Sequence, residues 1–453
     1  MEQHQPVDRD ERMSRIEDRP ALPRLGSWRG VGALSGLQEE RLPVAMELAS
    51  RSPFYRDRVP RAGGPRTIGE LAKLARTTKK DLRAAYPYGM LAVPRQRLAT
   101  YHESSGTTGE PTSSYFTERD WFDVIDRFRR NAVRFGASDT VLVKTPYAMM
   151  TTGPQAHDGA RLAGATIIAA GNRSLIMPYS RIVRMLHDLS VTVTWSLPSQ
   201  CLLWAAAARA AGYAPDRDFP QLRAFLVGGE PLTEARRARI SAIWGGVKVF
   251  QDYGSTETGS LAGECCNGTL HLWADRFVPE VVDPTTGESS PRGTGHLVIT
   301  TLYREAMPLV RYDLEDLVEV SDADCSCGWA LPALRHHGRS GAGVRVGGTR
   351  LTQSALERHV FGLPLEYGVW MWRARRVGGG LAVEIEAPAE HAGAACAELT
   401  TAISQHTGVP CVVSALPPGQ LVPLATLTQP VAFSKPRSLF DEDENWDPPT
   451  YYS

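Results

Sequence analysis

The chain has 453 residues, 42% hydrophobic and 22% charged, with 50 basic and 50 acidic side chains and a formal net charge of zero. That mixed, balanced charge lacks the basic footprint of a nucleic-acid-binding protein and the cationic face of a membrane-surface protein, and no stretch reaches the ~20 apolar residues of a bilayer-spanning helix. Seven cysteines, an odd number, argue against a disulfide framework and for a reducing, cytoplasmic setting with metal binding open.

In chain order, residues 1–25 form a charged leader without the apolar stretch of a secretory signal. From Thr117 a strand–helix rhythm sets in. "TERDWFDVIDRFRRNAVRFG" opens on a Thr117/Asp120 capping-box pattern and carries apolar residues at Phe122, Ile125, Phe128 and Ala132. With Gly136 at its end it predicts an amphipathic helix. "TVLVKTPY", "ATIIAAG", "VTVTWSL", "LRAFLVGG" and "GVKVFQDYG" predict buried strands, and "YSRIVRMLHDL", "CLLWAAAARAAG" and "TEARRARISAIW" predict helices between them. This alternation predicts an α/β fold with a largely parallel, doubly wound sheet, in which ligands sit beyond the carboxyl ends of strands. After Gly268 the texture becomes β-rich. The glycine-rich "GRSGAGVRVGGT" (338–349) predicts a hinge between an N-terminal domain of residues 26–338 and a small α+β domain of residues 339–440. Residues 441–453 form an acidic, aromatic tail.

"SSGTTGEPTSS" (104–114) carries the first functional signal. Its glycines let backbone N–H groups converge on an anion, and its hydroxyls add donors, so it reads as a phosphate cradle. No lysine follows the last glycine, which excludes the P-loop pattern. Taken alone, the loop serves equally as a flexible linker.

Further motifs follow in a fixed order. "RTTKKDLRAAYPYGM…YHESSGTTGEPT", "LVGGEPLTEARR", "QDYGSTETG", "VRYDLEDLVEV", "GRSGAGVRVGGTRLTQSALE" and "SKPRSLFDED" together resemble the signatures of the phenylacetate–CoA ligase branch of the adenylate-forming superfamily of acyl-CoA synthetases, adenylation domains and luciferases. The resemblance implies a large N-terminal domain with a β-rich subdomain and a small mobile C-terminal domain. It implies that Ser104, Ser105, Gly106, Thr107, Thr108 and Gly109 hold the β- and γ-phosphates of ATP. Gly228, Gly229 and Glu230, with Asp252 and Tyr253, would line the adenine. Thr256 would contact the α-phosphate, and Glu257 would help hold Mg²⁺, a hard cation that suits a carboxylate. Asp316 would accept from the ribose hydroxyls, Arg339 would lie near the nucleotide at the domain junction, and Lys435 would reach the developing charge at the α-phosphate. Lys435 reads equally as a surface lysine, because only "KPR" matches closely.

A second constellation is independent of the nucleotide. Cys265-x5-His271 and Cys325-x-Cys327 supply four soft or borderline ligands, with Cys266 as a substitute, and suit structural Zn²⁺ within a β-rich segment of about residues 263–335. Tyr147, Met149, Met150 and Trp195 form a candidate slot for an aromatic acid, although such residues serve a core equally well.

Two features depart from the resemblance: Gly341 stands where the hinge motif carries aspartate, and in "VRVGGTRLT" the basic residues of the following segment are displaced. The expected activity is ATP-dependent conversion of a carboxylic acid to its acyl-adenylate, followed by transfer to CoA. The expected partners are thus a small carboxylic acid and CoA, with neither nucleic acid nor membrane, and a homodimer is left open. The altered hinge keeps two alternatives: a ligase that transfers the acyl group to an amine, and an inactive nucleotide-binding or carrier-docking subunit.

Overall fold

The computed structural model describes residues 22–60, 64–104, 110–172, 176–322, 324–429 and 437–447. Strands β1 (Leu98–Glu103) and β2 (Ser113–Thr117) pair antiparallel with Glu103 opposite Ser113. Five strands follow in parallel: β3 (Thr140–Val143), β4 (Thr166–Ala169), β5 (Val193–Ser196), β6 (Ala224–Val227) and β7 (Lys248–Ser255). Helices Thr152–Leu162, Tyr179–Asp188, Pro198–Ala210 and Glu234–Ile243 make the crossovers. β5 and β6 are buried along their whole length, as expected of strands covered on both faces.

The sheet does not stop at β7. It continues antiparallel through β8 (Gly259–Glu264), β9 (Leu270–Leu272), β10 (Phe277–Val282), β11 (Ser289–Ser290), β12 (Gly293–Thr301), β13 (Tyr312–Ser321) and β14 (Ala333–Arg339). The result is one 12-stranded sheet in the order β11-β10-β12-β13-β14-β9-β8-β7-β6-β5-β3-β4. The chain leaves β3 to one side for β4 and returns on the other for β5, so the topological switch lies between β3 and β5, the place where sheets of this kind bind ligands.

The amphipathic helix is present over Glu118–Arg129, and Thr117 and Asp120 close the capping box. Its buried face is Trp121, Val124, Ile125 and Phe128, whereas Phe122 is exposed. It ends before Gly136, because the Asn131 side chain bonds the Val133 N–H and the Ala132 N–H turns to the Glu264 carbonyl.

After β14 come the hairpin β15 (Val344–Val346) and β16 (Thr349–Leu351), then a separate sheet of β17 (Trp372–Val377), β18 (Gly380–Glu386), β19 (Cys411–Leu416) and β20 (Leu439–Phe440) in the order β19-β18-β17-β20. This sheet and helix Ala389–Thr407 share an apolar cluster with the crossover helices, running from Trp204 and Ile240 to Trp370, Trp372 and Leu399. Residues 441–447 of the acidic tail lie against β17. There Asp441 meets Arg376 at 2.6 Å, and the Trp446 ring receives the guanidinium groups of Arg373 and Arg375. Among the described residues no helix is long and apolar enough to cross a membrane.

Candidate active site

The turn between β1 and β2 is tied at its base. The Ser104 N–H donates to the Thr112 carbonyl at 3.0 Å, and the Thr112 N–H donates to Ser104 Oγ at 2.9 Å. The Thr112 hydroxyl donates to Glu257 Oε1 at 2.7 Å, and both side chains are buried. Arg304 donates to the Glu257 carbonyl at 2.9 Å and to Tyr115 O at 3.0 Å, fastening β2 to the turn that carries Glu257. Burial lowers the Arg304 pKa to about 10. Thr256 is buried beside them. Ser105, Gly106, Thr107, Thr108 and Gly109 lie outside the described residues, as does Lys435.

A second group forms where β7 meets β13 and β14. The Tyr253 hydroxyl donates to Asp316 Oδ2 at 2.6 Å, Arg339 Nε approaches Oδ1 at 3.0 Å, and His336 Nε2 lies 3.8 Å from Oδ1. The β13–β14 register places Asp316 opposite Arg339. Burial would push the Asp316 carboxyl up, but His336, Arg339 and Tyr253 together hold it below the usual carboxylate value. The Tyr312 hydroxyl is buried, and burial first, then the charges of Glu257, Glu315 and Asp316 against that of Arg339, drive it well above the ordinary tyrosine pKa.

Gly228 is a close-approach position. A Cβ there would lie 2.6 Å from Trp195 Cη2 and 2.7 Å from the Asp252 carbonyl, and Gly229 has φ +78°. The neighbouring carboxylates point elsewhere. Glu230 accepts from Ser199 Oγ at 2.7 Å and pairs with Arg236 at 3.1 Å. Asp252 accepts from Ser260 Oγ at 2.6 Å within the core, and burial raises its pKa to about 8. On the strand face opposite Asp252, Gln251 lines a groove of about 280 Å³ with Leu232, Glu264 and His336. The Glu230 and Asp252 side chains are thus each engaged by a buried partner.

Tyr147 follows β3 at the switch point, with its hydroxyl 3.2 Å from His157 Nδ1. Met149 is exposed with φ +59°, and Met150 is half-buried. Trp195 is a core residue: it is 3% exposed, packs edge-on against Phe128, and donates from Nε1 to the Thr152 carbonyl. Sequence reasoning missed Lys144, at the end of β3, whose Nζ donates to the carbonyls of Gly171 at 2.7 Å and Met177 at 3.2 Å. Burial lowers its pKa to about 8. It also missed Thr112, Arg304, Gln251 and His336. Thr112 stood inside the quoted loop with no mark to separate it from the other hydroxyls, and His336 stood three residues before Arg339 in "RHHGR".

The ligand atoms of Cys265, His271, Cys325 and Cys327 lie within 4.8 Å of one another. Cys265 Sγ is 3.6 Å from Cys325 Sγ, close to the separation of about 3.8 Å between sulfurs on a tetrahedral zinc. His271 Nδ1 is 2.9 Å from the Leu331 carbonyl, which directs Nε2 to within 3.4 Å of Cys327 Sγ. Cys266 is exposed and turned to Asn267, outside the cluster.

The architecture, a parallel half-sheet continued by an antiparallel half with its acidic groups at the junction, is that of an adenylate-forming ligase. It superimposes on 2-hydroxyisobutyryl-CoA ligase in its postadenylation state with 2-HIB-AMP at a TM-score of 0.78, covering 91% of this chain and 89% of that one at 22% identity. Residues 67–302 match the family described as AMP-binding enzyme. The phenylacetate-coenzyme A ligase of Thermus thermophilus is 32% identical over 424 residues, which cover 85% of this chain and 93% of that protein. That of Aromatoleum evansii is 35% identical over 301 residues, covering 63% and 66% respectively. The chain belongs to the AMP-binding enzyme family, in its phenylacetate–CoA ligase branch.

Proposed function

We propose that this ligase activates an aromatic carboxylic acid of the phenylacetate class. The general activity is ATP-dependent conversion of an acid to its acyl-adenylate with release of pyrophosphate, then transfer of the acyl group to CoA. In the first step a carboxylate oxygen attacks the α-phosphorus and the bond to the bridging oxygen breaks. In the second the CoA thiol adds to the acyl carbon and AMP leaves. One anion must approach another, so catalysis rests on donors and cations aimed at developing charge.

Two hydrogen-bonded carboxylates support this reading: Glu257, held by Thr112 at the closed base of the Ser/Thr/Gly turn, and Asp316, held by Tyr253 and Arg339. We assign Ser104 and residues 105–109 to the phosphates, Thr256 to the α-phosphate, Asp316 to the ribose, and Gly228, Gly229 and Tyr253 to the adenine edge. Arg339 is the junction residue, and Lys435 is the cation expected from the smaller unit. Glu257 would hold Mg²⁺, which when bound supplies charge neutralisation at the phosphates. Tyr147, at the switch point, is the favoured wall of the acid pocket. Residues 26–338 and 339–440 are read as the adenylating and mobile units. Cys265, His271, Cys325 and Cys327 fit a structural Zn²⁺ that would staple β8 and β9 to the segment before β14. Those thiols also favour a reducing, cytoplasmic setting.

The test is pyrophosphate release across aromatic, aliphatic and amino acids, with and without CoA. Arylacetates should give the highest rate, and CoA should raise turnover. Turnover driven by an amine while CoA is ignored would move the assignment to the nitrogen-acceptor alternative.

A further inference from the structure

Glu257 is 4% exposed, and no ion pair to it occurs among the described residues. Its position is nevertheless fixed at both ends. Arg304 holds its carbonyl at 2.9 Å and Ser114 Oγ lies 3.4 Å from the same oxygen, so the main chain cannot drift. The side chain is held at Oε1 by the Thr112 hydroxyl at 2.7 Å.

The bonds of Thr112 divide cleanly. Its N–H and carbonyl, paired with Ser104, close the turn. Its hydroxyl is 2% exposed with the rest of the residue and is spent on Glu257, across a sequence distance of 145 residues. A carboxylate only accepts, so the hydroxyl is the donor. A hydrogen bond to a carboxylate fixes its rotamer. A hard divalent cation needs a carboxylate oxygen so aimed. The same residue thus ends the phosphate-facing turn through its backbone and aims a carboxylate through its side chain.

We infer that Thr112 is a positioning residue that orients Glu257 and couples the closed base of the Ser104–Thr112 turn to metal binding. This rests on the reading of Glu257 as the Mg²⁺-bearing carboxylate. Valine has the shape of threonine without the donor, so Thr112→Val keeps both main-chain bonds and deletes only the link to Glu257.

The experiment is acid-dependent ATP–pyrophosphate exchange by the full chain, titrated with Mg²⁺, for the wild type, Thr112→Val, Thr112→Ser and Glu257→Gln. Thr112→Val is expected to raise the Mg²⁺ needed for half-maximal rate about tenfold, the loss of one hydrogen bond to a charged group. Saturating Mg²⁺ should recover most of the rate, and Thr112→Ser should stay within about threefold of wild type. Circular dichroism and thermal unfolding check that each variant is folded. A Thr112→Val protein with wild-type Mg²⁺ dependence, beside a Glu257→Gln protein that loses it, overturns the positioning role alone. A Glu257→Gln protein with wild-type Mg²⁺ dependence overturns the reading of Glu257 and this inference with it.

Discussion

Arg236, on helix Glu234–Ile243, bridges Glu230 and Glu357. Glu230 follows the close-approach glycines after β6, and Glu357 lies on the first helix after the β15–β16 hairpin. Glu357 is 2% exposed and also accepts from Gln353 Nε2 at 3.1 Å. One buried guanidinium therefore joins the loop after β6 to the helix Gln353–Val360. Arg239 adds a donation to the Phe361 carbonyl at 3.2 Å, and Arg209 stacks over Trp370.

Removing one partner of such a group leaves a buried charge poorly compensated. Glu357→Ala should cost about 3 kcal/mol, whereas Glu357→Gln, which keeps a polar contact, should cost clearly less. Urea unfolding measures the cost. Limited proteolysis after residue 340 should speed up in the alanine variant, and wild-type stability of both variants would show that the Arg236–Glu357 pair contributes nothing.

Asp252 gives a pH prediction. Burial raises its pKa in the folded chain to about 8, against the opposing pull of the Ser260 hydrogen bond and the Arg127 charge. The unfolded value is about 3.9, so between these limits folding takes up a proton. The stability due to this group is complete at acid pH and declines as pH climbs towards the folded value, by up to about 1.4 kcal/mol per pH unit. Asp252→Asn removes the titration. Its stability relative to wild type should therefore rise from about pH 5 to about pH 8 in parallel urea titrations, and a constant difference would contradict the buried, protonated carboxyl.

The cysteine–histidine cluster should carry about one equivalent of zinc per chain by elemental analysis, as the proposed structural site predicts. Cys327→Ser and His271→Ala should lose the metal and several degrees of thermal stability, while Cys266→Ser should keep both. The separation of Cys266 from its neighbour is the sharper result, because the two residues are adjacent in sequence and only Cys265 lies in the cluster.

Asp316→Asn keeps the size of the side chain and removes its charge. Hydrogen bonds to a charged group contribute roughly 1.5–3 kcal/mol, so the KM for ATP should rise on the order of tenfold or more, with the acid KM nearly unchanged. A rise confined to the acid KM would place Asp316 away from the ribose.

Much of this was legible in the sequence for a physical reason. Strand runs such as "TVLVK" and "LRAFLVGG" bury both faces, and the Thr117/Asp120 box writes its helix start in two residues. Zinc-ligand spacing is similarly local, and His271 and the three cysteines do converge. What stayed hidden depends on distant partners. Motif position does not show that the Glu230 side chain meets Ser199 and Arg236, or that the Asp252 side chain meets Ser260. Lys144 and Thr112 gain meaning only when carbonyls 27 and 33 residues away, or a carboxylate 145 residues away, arrive beside them. The hinge departure also has a local cause. Gly341 has φ +82°, a region that favours glycine, and a Cβ on Gly343 would meet the Leu351 carbonyl at 2.2 Å.

The most direct test of the central claim is exchange of labelled pyrophosphate into ATP, run with phenylacetate and Mg²⁺ and without CoA. Label should enter ATP only when the acid is present, and Glu257→Gln and Asp316→Asn should each suppress it, as their proposed roles at Mg²⁺ and the ribose require. Tight ATP binding with no acid-dependent exchange, for phenylacetate and every other acid screened, would contradict an adenylating enzyme.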